Sequence, residues 1–300
     1  VVQNCDLLLV LGCRMNIRMI SYNRHQFAEN AYKIVEDIDE NEMKKPTVQV
    51  DMPIHADVKD FLAAMENQFL TEPNDAHAKW LQWCKNIDCK YPATKPAFYE
   101  KNNPMNPYAF MTELFDVLEE GETIVCGNGS ACVITFQACD IKPKQRLFTN
   151  SGCAAMGYGF PAAIGAAVAK DGERVICIDG DGSFQMNLQE LQTVVYNQYN
   201  LKILYLNNNG YHSIRQTQTN LFQPPLVGVC DGNGLSFPDM KKVAGAYGIP
   251  YVAIEDIREA KSSMEQVLQM EGPVLCEVFV DPAQNFEPKL SSKVLPDGKI

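Results

Sequence analysis

From Pro107 onward the chain alternates short apolar runs with helical segments, and this alternation limits its fold more than any other feature. The runs are 123–126 (TIVC), 147–149 (LFT), 174–178 (RVICI), 201–206 (LKILYL), 250–254 (PYVAI) and 274–280 (VLCEVFV). A run without polar alternation must be covered on both faces, which is the situation of a strand inside a parallel sheet. Helical spacing fills the gaps at 158–169, 184–198, 237–247 and 257–270, and Pro107 can open a further helix through Leu118 that Gly121 ends. The expected architecture is therefore α/β: a three-layer α/β/α arrangement around a mostly parallel six-stranded sheet. Ligands of such sheets bind beyond the carboxyl ends of the strands.

The first part of the chain is different. Residues 4–12 (NCDLLLVLG) form an apolar run closed by Gly12, 32–38 (YKIVEDI) a second, and 48–50 (VQV) a short third. Residues 57–70 then carry Val58, Phe61, Leu62 and Met65 at helical spacing. These elements read as residues 1–70 of a partial Rossmann-like domain, lacking its opening units. Residues 71–104, with Trp80, Trp83, Pro92, Pro96 and Pro104, read as an interdomain linker holding a short helix near 75–85. The catalytically relevant domain is expected at 105–285, with 286–300 as a peripheral tail. The chain opens at Val1 in strand-like sequence, which suggests a piece of a longer protein.

Charge and cysteine usage exclude several classes. The net charge of −11 is spread along the chain without a lysine-arginine block, so no source exists for the counterion release that drives nucleic-acid binding. Apolar stretches such as 6–11 and 162–169 fall far short of the roughly 20 residues a bilayer crossing needs. Eleven cysteines at irregular intervals, without a CxxC pair, point to a reducing, cytoplasmic setting. Cys84 and Cys89 invite a metal reading, but the chain has only four histidines and none completes a cluster with them.

The chemistry concentrates in Ile178-Asp179-Gly180-Asp181-Gly182-Ser183-Phe184, between a strand and a helix. Gly180 and Gly182 permit a tight turn and close ligand approach, and the amides of Gly182 and Ser183 could point at an anion. The next strand ends in Asn207-Asn208-Asn209-Gly210. Consecutive parallel strands emerge at one edge, so Asp181 and Asn208 should meet there. A carboxylate, an amide oxygen and the Gly210 carbonyl form a hard oxygen shell suited to Mg²⁺, with positions left for diphosphate oxygens and water. Taken singly, GDG is a common turn and NNNG an ordinary loop; the two together after buried strands make the metal reading specific.

On these residues the chain resembles the thiamine diphosphate-dependent decarboxylases and carboligases, the acetolactate synthase-like group in particular. The family fingerprint of GDG followed by NN runs here from Gly180 to Asn208, flanked by similar segments at 150–165 and 184–191. Residues 37–42 and 53–58 resemble the end of the family's middle domain. The resemblance implies the thiamine diphosphate-binding fold, with metal on Asp181, Asn208 and Gly210. It implies diphosphate near Gly180, Gly182, Ser183 and Tyr211, and a second cradle at Gly127-Asn128-Gly129-Ser130. Met156 would be the apolar wedge beneath the cofactor, counted with the catalytic residues, and the Ala154 backbone would face the aminopyrimidine. Read without the resemblance, Met156 is an ordinary packing residue.

The implied activity is decarboxylation of a 2-oxo acid with transfer of the two-carbon or acyl unit to an acceptor; simple decarboxylation or lysis is the alternative. His212 and Arg215 could contact a substrate carboxylate or orient their loop, or lie solvated on it. Ser213 and Thr217 stand where acetolactate synthases usually carry Met and Trp, and the usual glutamine-histidine pair is missing, which leaves the acceptor open. The family's activating glutamate comes from an N-terminal domain of a neighbouring subunit that no stretch here resembles. The chain would then hold half of each active site within a homodimer or tetramer and be inactive alone. FAD is retained by some relatives near the counterpart of Gly12–Arg14, so the resemblance leaves room for it in the full-length protein rather than in this chain. Two rivals remain: a nicotinamide or flavin Rossmann enzyme, against which Gly157-Tyr158-Gly159 lacks a compact GxGxxG turn, and a non-catalytic protein that kept the fold.

Overall fold

A computed structural model describes residues 1–66, 68, 75–222 and 224–288. The chain divides into two compact units, Val1–Tyr91 and Pro92–Ile300. In the first, parallel strands β1 (Leu7–Leu11), β2 (Tyr32–Asp37) and β3 (Met52–His55) lie in that order. The expected third strand at 48–50 is displaced. Val48 is buried in the unit's small core with Val10 and Val35, so that segment spends its apolar side chains on packing, and pairing with β2 starts at Met52. Pro53 is tolerated because β3 is an edge strand. The expected helix at 57–70 is seen as Val58–Glu66, and its remainder falls largely outside the described residues. The short helix near 75–85 is instead a full helix, Ala78–Lys90. Residues 71–74 of the expected linker and 289–300 of the tail also lie outside the described residues.

The second unit holds β4 (Thr123–Cys126), β5 (Arg146–Phe148), β6 (Val175–Gly180), β7 (Leu201–Asn207), β8 (Tyr251–Ile254) and β9 (Val274–Phe279). They form one six-stranded parallel sheet in the order β5-β4-β6-β7-β9-β8. Successive residues of a strand face opposite sides, and here both sides are buried. Ile176, Ile178, Leu204 and Leu206 enter one core with the helices Pro107–Val117 and Ile257–Gln269; Val175, Cys177, Ile203 and Tyr205 enter the other with Gly159–Ala169, Leu191–Asn197 and Met240–Tyr247. That two-sided burial is why the strands read as unbroken apolar runs.

Several local expectations change. The first helix is started by Asn106, whose side chain accepts from the Tyr108 amide (2.9 Å) ahead of Pro107, but it stops at Val117, and Gly121 sits in the following turn. A helix at Ser130–Ala138 was not anticipated: its sequence SACVITFQA is apolar on every side and shows no helical period. The single helix expected at 184–198 is broken into a turn Asp181–Phe184, a 3₁₀ stretch Gln185–Glu190 and the helix Leu191–Asn197. The break lies at Asn187 (φ −130°, ψ 31°), whose amide side chain donates to the Gly157 carbonyl at 2.6 Å. Phe184 and Leu191 are nevertheless buried in the second core, with Leu188 and Val195 packed against it, so the expected apolar face is present.

Candidate functional site

All the strands are parallel, so the loops after β4, β5, β6 and β7 gather at one edge of the sheet. Gly180 at the end of β6 is in register with Leu206 of β7. Asp181 therefore lies beside the Asn208–Gly210 turn. One oxygen of Asp181, Oδ2, accepts from the backbone amides of Asn208 (3.2 Å) and Gly210 (3.0 Å), and Oδ1 accepts from the Gly182 amide (2.7 Å). The two halves of the fingerprint are thus joined by one carboxylate. The Gly182 amide is spent on Asp181, so it is not free for an anion in this arrangement.

Burial pushes the Asp181 carboxyl up to about 6, while the amides of Gly210, Gly182 and Asn208 and the charge of Arg215 pull it back. The neighbouring Asp179 is fully buried and pushed up to about 7 for the same first reason. Two carboxylates are held here, and the nearest named cation, Arg215, is turned toward carbonyls. Its guanidinium donates to the Asn208, Asn209 and Pro282 carbonyls at 2.7–3.3 Å.

The donor set fits a small hard cation. Asn208 Oδ1 is buried without a hydrogen-bond partner, although such an acceptor ordinarily finds one. Asp181 Oδ1, with only the Gly182 amide, retains a lone pair. Among the described residues no group of three or more His, Cys, Asp or Glu could hold a metal. A cation here would instead use one carboxylate together with neutral oxygens, the mixture a diphosphate-bound Mg²⁺ takes.

The glycines report close packing. A Cβ on Gly182 would lie 2.1 Å from a Tyr211 ring carbon, so the tyrosine covers the GDG turn from the asparagine side. The Tyr211 ring also meets Phe237 edge-on at 6.4 Å. A Cβ on Gly127 would lie 1.9 Å from Asp179 Oδ1, and one on Gly159 2.6 Å from the Gly127 Cα. Asp179 thereby locks the loop after β4 against the start of the helix Gly159–Ala169. That role was missed in sequence, where the only hint is a carboxylate at the end of an apolar strand.

The loop Gly127–Ser130 does reach this edge. Asn128 Nδ2 donates to the Ala154 carbonyl (3.2 Å), Gly129 adopts φ 63°, and Ser213 Oγ lies 3.7 Å from where a Gly129 Cβ would be. Ser130 Oγ is a second buried oxygen without a partner. Ser183 Oγ accepts from the Gly157 amide at 3.0 Å, tying the β6 turn to the segment after β5. Met156 is half-buried in that segment, ahead of the helix Gly159–Ala169, and belongs to none of the buried clusters. His212 is not a solvated loop residue: it is buried, and its ring meets Phe286 edge-on at 5.3 Å.

In the first unit, a cleft of about 420 Å³ is lined in part by Gly12, Arg14, Glu36, Asp37, Asp39 and Glu42. Arg14 is engaged by Glu42 at 3.2 Å, which leaves the lining strongly acidic.

Residues 127–278 match the thiamine pyrophosphate enzyme C-terminal TPP binding domain, and residues 1–65 match the central domain of the same enzymes. The chain is 29% identical to the acetolactate synthase isozyme 1 large subunit of Escherichia coli (strain K12), over 96% of this chain and 49% of that protein. It is 31% identical to a probable chloroplastic acetolactate synthase 2 of Oryza sativa subsp. japonica (97% and 45%) and 31% identical to a probable acetolactate synthase large subunit of Methanococcus aeolicus (98% and 49%). The chain thus spans about half the length of the curated relatives it matches. With a parallel α/β sheet that carries the paired GDG and NN turns at one edge, the chain belongs to the thiamine pyrophosphate enzyme family.

Proposed function

We propose that this chain carries the diphosphate and Mg²⁺ half of an acetolactate synthase-like carboligase, which decarboxylates a 2-oxo acid and passes the acyl unit to a small-molecule acceptor. The observation that carries this reading is the convergence of the Asp181 carboxylate with the unpartnered Asn208 Oδ1 beside Gly210. When bound, thiamine diphosphate supplies a carbon nucleophile and an electron sink.

The residues of the chain bind and orient. Asp181, Asn208 and the Gly210 carbonyl hold the metal, and Ser130, Gly180, Gly182 and Ser183 border the diphosphate. Tyr211 closes over the GDG turn. Met156 supports the cofactor from the β5 segment, and the Ala154 carbonyl, which now accepts from Asn128, receives its amine. His212, packed on Phe286, orients the loop in which Ser213 and Thr217 select the acceptor. Residues 105–285 act as the cofactor domain and 1–70 as part of the middle domain, joined through 71–104.

A homodimer or tetramer in the cytoplasm, with the activating glutamate supplied by another subunit's N-terminal domain, completes the site. Among the described residues no helix is long and apolar enough to cross a membrane. Neither nucleic acid nor membrane is a partner in this reading. FAD is not a cofactor of this chain in this reading, because the acidic lining around Gly12 and Arg14 would repel its diphosphate.

Titration with thiamine diphosphate, with and without Mg²⁺, tests the reading. Metal-dependent binding that disappears in Asp181→Ala is expected, and binding indifferent to both would overturn it. Pyruvate supplied to the full-length protein with a panel of aldehydes and 2-oxo acids should give a ligation product by mass. Carbon dioxide release without such a product would assign simple decarboxylation.

A further inference from the structure

We infer that Arg215 is the positioning residue of the metal loop: it fixes the two peptide planes that run between Asn208 and Gly210, the residues that would meet the cation. The inference rests on the magnesium and diphosphate reading above and adds a residue to it.

A trans peptide directs its C=O and its N–H to opposite sides of one plane. In the plane joining residues 209 and 210, the Asn209 carbonyl accepts from Arg215 Nη2 at 2.7 Å, and the Gly210 amide on the other side donates to Asp181 Oδ2 at 3.0 Å. In the preceding plane the Asn208 carbonyl accepts from both terminal Arg215 nitrogens at 3.2 and 3.3 Å, while the Asn209 amide donates to Asn207 Oδ1 at 3.0 Å. Two successive planes are therefore gripped from both sides. Arg215 is itself anchored by the Pro282 carbonyl at 3.2 Å, just past β9, the neighbour of β7.

The turn needs such a grip. Asn209 sits at φ 53° and Gly210 at φ 148°, and a Cβ on Gly210 would lie 2.4 Å from Arg215 Nη2 and 2.1 Å from the Val229 carbonyl. The loop is thus built tightly against the guanidinium. Its two terminal nitrogens are engaged by backbone carbonyls, while Nε is buried without a hydrogen-bond partner. A planar fork with several donors can bridge separate carbonyls, whereas a lysine ammonium is a single point. Mg²⁺ demands near-ideal octahedral geometry and Ca²⁺ does not, so loosening the loop should penalise Mg²⁺ selectively.

The test is Mg²⁺ and Ca²⁺ titration of the full-length protein at saturating thiamine diphosphate, followed by calorimetry, for the wild type, Arg215→Gln and Arg215→Lys. Arg215→Gln is expected to weaken Mg²⁺ binding about tenfold or more and to weaken Ca²⁺ binding less, beyond any lowering of the melting temperature that the lost carbonyl contacts cause. Arg215→Lys should recover part of the loss. Unchanged Mg²⁺ affinity in Arg215→Gln overturns the inference. So does an equal loss for both ions, which marks a purely structural role. A wild type without any metal-dependent binding would instead sink the underlying functional reading, and this inference with it.

Discussion

The two ends of the central strands are built on opposite electrostatic plans. At the amino edge, buried charges are matched: Arg174 pairs with Glu122 and donates to the Leu268 carbonyl (2.9 Å), and Lys202 donates to the Met270 and Gly272 carbonyls at 2.5 and 2.6 Å. At the carboxyl edge, Asp179 and Asp181 are crowded into the interior and pushed up to about 7 and about 6, while Asn208 Oδ1 and Ser130 Oγ go unpartnered. Unsatisfied buried groups cost stability, and although Asn200 Oδ1 ahead of β7 is one as well, only at the carboxyl edge do such oxygens stand beside raised carboxyls. One end pairs its buried charges, and the other gathers carboxyls and unpartnered oxygens, as the proposed cation site requires.

The sharpest way to break this comparison is to remove a charge from the amino edge. Glu122→Ala would take from the partly buried Arg174 guanidinium its buried carboxylate, leaving the Leu268 carbonyl and the exposed Glu119, at a cost of about 3 kcal/mol in denaturant unfolding. Affinity for thiamine diphosphate should not change in the protein that remains folded. A variant that kept its stability and lost the cofactor would contradict the division between the ends.

Next in size is Gly182→Ala at the carboxyl edge. Its methyl group would overlap the Tyr211 ring, and the displacement should cost about 1–3 kcal/mol together with cofactor affinity. The double variant Gly182→Ala/Tyr211→Ala should be more stable than the sum of the single changes. Strict additivity would show that Tyr211 does not cover the turn.

How much of this contrast was readable beforehand depended on whether a feature is local. The six strands of the second unit, and Asp181 beside Asn208, follow from apolar runs and from the rule that parallel strands end at one edge. The helix Ser130–Ala138 escaped because its residues are apolar all round and leave no period. The break at Asn187 escaped because a tertiary bond to Gly157 causes it. Asp179, Arg215 and His212 act through partners far along the chain, and nothing in their own neighbourhoods announces Gly127, Pro282 or Phe286. The motif therefore showed which oxygens could meet a metal, while the groups that hold those oxygens emerged only with the fold.

Titration should separate the two ends by sign. Asp179 is raised to about 7, above its unfolded value, so the native state binds more protons and the stability of the cofactor-free protein falls as pH rises from about 4 to about 7. Lys202 is lowered to about 8 by burial, so the unfolded state binds more protons above that pH, and stability from this group rises between about 8 and about 10.5. Asp181 shares the acid limb, and the Cys126, Cys177 and Cys276 thiols, pushed up by burial, lower stability over the alkaline range, so each contribution is read as the difference between variant and wild-type melting curves of the cofactor-free protein. Asp179→Asn should make the acid limb shallower and leave the alkaline range alone, and Lys202→Met should change the alkaline range alone. If either substitution altered both limbs, the ends would not be electrically separate.

The smallest stability effect belongs to the residue with the clearest chemical purpose. Asn208 Oδ1 makes no hydrogen bond, so Asn208→Ala removes a buried acceptor that gives the cofactor-free fold nothing, and its unfolding free energy should move by no more than about 0.5 kcal/mol, in either direction. Mg²⁺ affinity at saturating thiamine diphosphate should nonetheless fall by about tenfold or more, because the proposed site loses one of its few oxygens. Such an imbalance distinguishes a group kept for a ligand from one kept for the fold. Substantial loss of stability in the cofactor-free variant would mean that Asn208 serves the sheet, as Lys202 does, and the carboxyl edge would lose its claim to the cation.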